Sequence, residues 1–111
     1  MADVVFAVPA LWLARGTAQR MVGLSSVKSL TFGPSDQGVY LQALLQNIRV
    51  TLDGASNPVK TGGVNPLGFV LRSTDTPFLF TGVPGTKLLI LEETASAELQ
   101  FQFLTLSGRY S

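Results

Sequence analysis

The clearest pattern in this sequence is an alternation of apolar and polar residues near its C-terminal end. In the stretch SAELQFQFLT, residues 96–105, every second residue from Ala97 to Phe103 is apolar, and the residues between them are Glu or Gln. Successive side chains of a β-strand point to opposite faces of the sheet. The stretch therefore predicts a strand with one buried face and one exposed face.

A second alternating region runs from Val39 to Leu52 and changes phase in its middle. Apolar residues occupy odd positions up to Leu45, with Leu44 as an apolar exception, and even positions from Ile48 onward. A bulge or a corner near Gln46 would return the apolar side chains to the interior, and strands that cross from one sheet to another make such corners. The phase change therefore predicts a bulge or a corner at this point.

Shorter apolar runs, separated by Gly, Pro and Asp, fill most of the remaining chain. These runs are Asp3–Val8, Ser29–Phe32, Gly68–Leu71, Pro77–Phe80 and Lys87–Glu92. Seven or eight short strands at this spacing predict an all-β sandwich or barrel. The segment 11–22 matches neither the strand period nor the helix period and contains Gly16. We therefore predict an arm or irregular segment there, with a helical turn or two at most.

The low content of charged residues indicates that this protein associates with a partner. Of the 111 residues, 46% are hydrophobic and only 14% are charged, whereas soluble globular domains have roughly a quarter of charged residues. A single domain with so few charges is expected to leave apolar surface exposed, and such surface is typical of proteins that bind other proteins. We predict that the chain associates with itself or with another protein.

Charge and residue types exclude several classes of function. The chain has eight basic and seven acidic residues, and the basic residues are scattered singly, whereas nucleic-acid binding requires clustered Lys and Arg. The chain has no His and no Cys, and His is the commonest general base and metal ligand. No apolar run reaches the roughly 20 residues of a membrane-spanning helix. We therefore predict no nucleic acid, no membrane, no metal or other cofactor and no catalytic residues.

The stretch NIRVTLDGASNP, residues 47–58, most resembles a ligand-binding loop. A calcium loop needs oxygen-bearing side chains at alternate positions, but the alternate positions after Asp53 supply Ala, Asn and Val. Neither KTGG at 60–63 nor GVPGTK at 82–87 has the spacing of a phosphate-binding loop. Asp53 and Gly54 are instead typical of a turn that ends a strand, with Gly at positive φ and Asp bonded to the following backbone.

Two further groups of polar residues are candidates for chemistry or binding. Glu92 and Glu93 are adjacent on a predicted strand, so their side chains point to opposite faces and cannot form an acid/base pair. Glu98, Gln100 and Gln102 form the polar face of the last strand. That face is typical of a solvated surface, and it is also compatible with a groove that binds glycans.

The N-terminal segment is the strongest candidate for a protein contact. The stretch Val4–Leu13 is rich in Val, Leu, Phe and Trp, and it would promote aggregation if it remained a free edge. Pairing with another copy would bury Phe6, Leu11 and Trp12 together, and a closed symmetric arrangement would end further growth. We predict these three side chains as the contact residues of the arm.

From Gly38 to about Leu106 the chain resembles the small β-sandwich virion proteins of tailed bacteriophages. The resemblance rests on an Arg-x-Thr-x-Asp-Gly turn after a strand, on a loop of small residues, and on a closing alternating strand. The residues concerned are Arg49, Thr51, Asp53, Gly54, Pro58, Gly62, Gly63 and Ala97–Phe103. The first 25 residues have no counterpart in this pattern.

This resemblance implies a non-enzymatic structural protein of the virion, assembled in the host cytoplasm. The implied role is a capsid decoration or cement protein that stabilises the phage head and binds a major capsid protein or another virion protein. Docking at three-fold points of a capsid would favour a homotrimer. Together with the strand pattern, the resemblance predicts a single antiparallel β-sandwich, jelly-roll-like, at residues 26–111. An N-terminal arm or irregular segment at residues 1–25 is expected to precede it.

Three alternatives remain open. A head-to-tail connector or tail protein would belong to the same kind of particle. A carbohydrate-binding β-sandwich module would have a row of exposed aromatic residues on one face, whereas most aromatic residues here, including Phe78, Phe80, Phe101 and Phe103, occupy apolar strand positions. A small enzyme on a barrel-like fold would need converging His, Cys or carboxylate side chains, which are absent or scattered here.

Overall fold

The chain forms two antiparallel β-sheets. The computed structural model describes residues 12–106, which contain eight strands and no helix. The strands are β1 (Trp12–Met21), β2 (Lys28–Thr31), β3 (Gly38–Leu44), β4 (Ile48–Thr51), β5 (Phe69–Leu71), β6 (Phe78–Thr81), β7 (Lys87–Glu92) and β8 (Glu98–Leu106). The predicted all-β class is confirmed. In the described part of the chain, no helix is long and apolar enough to cross a membrane.

Strand order within the two sheets follows a nested pattern. One sheet has the order β1-β8-β3-β6, and the other has the order β2-β7-β4-β5. The first strand pairs with the eighth, the second with the seventh, the third with the sixth, and the fourth with the fifth. All connections except that between β4 and β5 cross from one sheet to the other. As a result, β5 and β6 are edge strands of different sheets.

Of the bulge and the corner that the sequence allows between β3 and β4, the structure has the corner. Leu45 has a φ of 69°, and the Gln46 N–H donates a hydrogen bond of 2.7 Å to the Leu44 carbonyl. This tight turn moves the chain from one sheet to the other. Odd-numbered apolar residues of β3 and even-numbered ones of β4 consequently both face the interior. The buried residues are Val39, Leu41, Ala43, Ile48 and Val50.

The core lies between the two sheets. Leu99 and Phe101 of β8 are buried, as their alternation predicts. Phe32, which follows β2, packs edge-to-face against Phe80 and Phe103 with ring centroids 6.1 and 5.7 Å apart. Edge-to-face geometry is favourable because the positive edge of one ring meets the negative face of the other. These rings tie the two sheets together.

Residues 12–21 form strand β1, where the sequence predicts an arm or irregular segment. The strand pairs with β8 of the same chain, from Trp12 opposite Leu106 to Met21 opposite Leu99. Eight of its ten residues are exposed, so no buried face requires an apolar residue at every second position. An edge strand that is exposed on both faces cannot be recognised by a period of two.

A bulge interrupts β1 near its middle. The pairing register shifts between Arg15 and Gln19, and Gly16 takes a φ of 73°. The side-chain amide of Gln102 donates to the carbonyls of Arg15 and Gly16 at 3.2 and 3.0 Å. Gly16, which weakens a helix prediction for this segment, is therefore the residue that allows the strand to bulge.

Candidate protein-contact site

An apolar groove lies between the edge strands β5 and β6. Its volume is about 370 Å³. Its lining consists of Leu41, Val50, Leu52, Phe69, Val70, Leu71 and Phe78. All of these side chains are hydrocarbon, so no side chain of the lining offers a hydrogen bond or a charge to orient a polar ligand. We call this surface the β5–β6 groove.

The pairing register directs two phenylalanines into the groove. Phe69 lies opposite Val50, and Phe78 lies opposite Leu41. Directly paired residues share a face of the sheet, and Val50 and Leu41 belong to the core. Both rings therefore face the interior of the sandwich. Even so, Phe69 is 64% exposed and Phe78 is 41% exposed, because no strand of the described residues covers this side of the sandwich.

A nearly buried ion pair holds the chain next to Phe69. Arg49 lies on the outer face of β4, and its Nε donates to Oε1 of Glu93 at 2.7 Å. The two side chains are only 9% and 12% exposed. Nη1 of Arg49 donates to the carbonyl of Gly68 at 3.1 Å, and Nη2 donates to the Thr61 hydroxyl at 3.2 Å. One guanidinium thus fastens both the middle and the end of the long β4–β5 loop, residues 52–68.

Glu93 completes this network from the other side. The Thr61 backbone N–H lies 3.3 Å from both oxygens of the Glu93 carboxylate and donates to them. The hydrogen bond from Arg49 lowers the pKa of Glu93 to about 2, with further contributions from Thr61 and from the charge of Arg49. Glu93 therefore remains ionised over the ordinary pH range. Its role is to position the loop, and it has no proton to exchange near neutral pH.

The predicted turn at Asp53 is confirmed. Oδ1 of Asp53 accepts hydrogen bonds from the backbone N–H groups of Ala55 and Ser56 at 3.0 and 2.9 Å. These bonds lower the pKa of Asp53 to about 2. Gly54 has a φ of 74°, as a turn of this kind requires. The carboxylate is thus engaged by its own backbone.

The other acidic candidates also have partners within the chain. Strand β7 ends at Glu92, so Glu93 does not lie on it as predicted. The two carboxylates have different partners: Glu92 accepts a hydrogen bond from the Ser96 N–H at 3.2 Å, whereas Glu93 accepts from Arg49 and Thr61. Glu98 forms an ion pair with Arg20 at 3.0 Å. Among residues 12–106, no group of three or more metal-binding side chains converges.

A second depression, about 420 Å³ in volume, lies on the outer face of the sheet that contains β1, β8 and β3. Its polar floor is formed by two cross-strand pairs, Tyr40 opposite Gln102 and Gln42 opposite Gln100. Tyr40 is 41% exposed. Gln100 and Gln102 belong to the predicted polar strand face, whereas Glu98 does not line the depression. We call this surface the outer polar groove.

Of the three predicted contact residues, only Trp12 belongs to the described part of the chain. Its ring lies against Gly38 of the same chain, so closely that a Cβ added at Gly38 would be 2.8 Å from the ring. Trp12 is half-buried in this position. Phe6 and Leu11 lie outside the described residues.

Sequence reasoning did not identify the β5–β6 groove. The apolar pattern assigned Phe78 to an inward face, which is correct, but periodicity cannot show whether a further strand covers that face. The only signal was the shortness of the two runs that contain Phe69 and Phe78, since short strands are typical of sheet edges.

Comparisons with protein-family models, with curated proteins and with solved structures found no match. No relative therefore points to a ligand or partner, and the β5–β6 groove and the outer polar groove are candidate sites for one.

Proposed function

We propose that this protein is a non-enzymatic structural protein of a tailed-bacteriophage virion, of the type that decorates and cements the head. The observation that carries this proposal is the β5–β6 groove, where two inward-facing phenylalanines remain open to solvent. An exposed apolar opening of this kind suits contact with another protein. A small-molecule site would also contain a few placed polar groups, which this groove lacks.

The strand order supports a jelly-roll assignment. An eight-stranded jelly roll is a ribbon of nested strand pairs folded into two sheets, and the orders β1-β8-β3-β6 and β2-β7-β4-β5 fit that description. Jelly rolls occur in viral capsid proteins and in lectins. Because one fold serves unrelated functions, the strand order favours a virion protein only in combination with the open groove and the resemblance around Asp53.

In this proposal the protein acts as a symmetric homo-oligomer on the capsid surface, with a trimer at three-fold points. Its partners are other copies of itself and the major capsid protein or another virion protein. Closed symmetry allows each copy to cover its apolar surface and then stops further association. The low content of charged residues, 14%, agrees with a surface that is partly covered by partners.

Immunogold labelling of purified particles of the phage that encodes this chain tests the proposal. With antibodies raised against the purified protein, we expect gold particles distributed over the head. Label at the neck or along the tail would support the connector or tail alternative instead. Particles that carry no label above that of antibody preadsorbed with the protein would contradict a virion role.

The outer polar groove favours a second candidate, a carbohydrate-binding module. An exposed aromatic ring offers an apolar face for a sugar ring, and Gln amides both donate and accept hydrogen bonds. If this candidate is correct, Tyr40→Ala should weaken glycan binding at least tenfold in an array or in calorimetry. Phe69→Ser, in the other groove, is the matched control and should leave glycan affinity unchanged. A wild-type protein that binds no glycan on the array would contradict this function.

A further inference from the structure

We infer that the β5–β6 groove receives the N-terminal segment Val4–Val8 of a second copy of this chain. The segment adds as a strand along the open edge of β6 and inserts Phe6 between Phe69 and Phe78. The inference rests on the proposed function, in which copies of the chain assemble, and it identifies the surface through which they do so.

The groove requires an apolar occupant that can also form backbone hydrogen bonds. Its lining contains no polar side chain, so a charged or strongly polar insertion would lose hydration without gaining a partner. Among the described strands, β6 pairs only with β3, which leaves its other edge available. An extended peptide that joins a sheet edge gains main-chain hydrogen bonds, while its alternate side chains fill pockets.

The N-terminal segment has the required chemistry. Residues 4–8 read Val-Val-Phe-Ala-Val and carry no charge. Val and Phe are favoured in strands, and a period of two places Val4, Phe6 and Val8 on one face. Phe6 in the centre of that face is large enough to cover Phe69, which is otherwise 64% exposed. Covering apolar surface of this kind favours association.

Chain length indicates that the segment comes from another copy. Trp12 lies opposite Leu106, five residues along β8 from Phe101, and Phe101 lies in the same cross-strand row as Phe78. Trp12 and Phe78 are therefore separated by roughly 17 Å along the strands and by roughly 14 Å across three strand spacings, or by roughly 22 Å in total. Six extended residues from Trp12 back to Phe6 span at most roughly 22 Å. The segment of the same chain would therefore have to cross the sheet in a straight line at full extension, and none of its length would remain to run along β6 as a paired strand.

Thiol cross-linking of mixed variants tests this contact, because the wild-type chain has no Cys. One preparation carries Ala7→Cys, which leaves Phe6 intact. The other is labelled with ¹⁵N and carries Thr81→Cys on the exposed outer face of β6. After mixing and treatment with a short bismaleimide, we expect a dimer of mixed isotopic composition by mass spectrometry. The control replaces Thr81→Cys by Val22→Cys, an exposed position directly after β1, which is the strand at the opposite edge of the sheet. The yield of mixed dimer with Thr81→Cys should be at least tenfold higher than with Val22→Cys.

Two further variants make the result specific to the groove. Adding Phe69→Ser to the Thr81→Cys chain should lower the yield of mixed dimer at least tenfold, while circular dichroism confirms that the chain is folded. Equal yields with Thr81→Cys and Val22→Cys, or a yield unaffected by Phe69→Ser, would overturn the inference. A chain with both Ala7→Cys and Thr81→Cys that links only within itself would also overturn it, because the occupant would then be its own segment.

The outcome is separable from that of the virion proposal, because the assay uses only the purified chain. Gold label on phage heads without a groove-dependent cross-link would contradict this contact and leave the virion role standing. A groove-dependent cross-link with unlabelled particles would support the contact and contradict the virion role.

Discussion

Replacement of Arg49 by Met is expected to destabilise the protein by about 3 kcal/mol, because breaking a buried ion pair leaves an uncompensated charge. The Glu93 carboxylate is only 12% exposed and would lose its charged partner. The carbonyl of Gly68 and the hydroxyl of Thr61 would lose a hydrogen-bond donor at the same time. Urea unfolding at neutral pH measures the change in the free energy of unfolding.

A double variant distinguishes the buried charge from lost packing. Arg49→Met combined with Glu93→Leu removes both charges, and replacing a whole buried pair by apolar side chains is much less costly than breaking it. We therefore expect the double variant to be more stable than Arg49→Met alone. If the single substitution lowers the free energy of unfolding by less than about 0.5 kcal/mol, which is typical of a surface ion pair, Arg49 does not fasten the loop.

The same ion pair predicts how stability depends on pH. The pKa of Glu93 is lowered from 4.5 to about 2 in the folded protein, so the folded state binds its proton less readily than the unfolded state. The contribution of Glu93 is therefore fully present above about pH 5 and is lost as the pH falls towards 2. Glu93→Gln should make the loss of stability between pH 5 and pH 2 shallower. Asp53, whose pKa is also about 2, titrates in both proteins and cancels in the comparison.

The ion pair also connects stability with the proposed contact. Arg49 holds the carbonyl of Gly68, and the next residue is Phe69, one wall of the β5–β6 groove. When the guanidinium is removed, the end of the long loop loses its attachment to β4. Hydrogen exchange in residues 52–68 should then accelerate more than in β7 or β8, since regions that lose buried contacts open locally first.

The parts of the fold that the sequence predicts well are those in which burial alternates. Strand β7 covers Lys87–Glu92, the same bounds as the predicted run, and β8 follows the apolar phase of Leu99 and Phe101. A bulge or corner near Leu45 could be predicted because the apolar phase changes between two buried strands. In each case the interior selects the residue type at every second position.

The parts that the sequence does not predict depend on distant residues. Strand β1 is exposed on both faces, so nothing selects for alternation along it. The partners Arg49 and Glu93 are 44 residues apart in the chain, and no local pattern connects them. The β5–β6 groove is open because the strand order places β5 and β6 at the edges of the two sheets. Nested pairing places two short strands on the same side, and this order cannot be obtained from the residues of either strand alone.

Gly68→Ala is expected to destabilise the protein by about 3 kcal/mol, since a strained backbone and an overpacked contact each cost about 1–3 kcal/mol. Gly68 has a φ of 110°, a conformation that residues with a Cβ rarely adopt. An added Cβ would lie 2.9 Å from the Val50 carbonyl oxygen and 3.0 Å from Cγ of Arg49. Val50 lies on β4, which is paired on both sides by β5 and β7, so its carbonyl cannot move without disturbing the sheet. Thermal and urea unfolding measure the effect.

Gly85→Ala is the matched control, because it separates backbone strain from the steric clash. Gly85 has a comparable φ of 91°, but no atom lies within 4 Å of an added Cβ. The control should therefore show the strain alone, about 1 kcal/mol. The difference between the two variants is then the energy of the clash with β4. Equal destabilisation of the two variants would mean that the β4–β5 contact yields easily. Phe69, which follows Gly68, would then lie on an edge strand that moves easily, and it would not form a rigid wall of the β5–β6 groove.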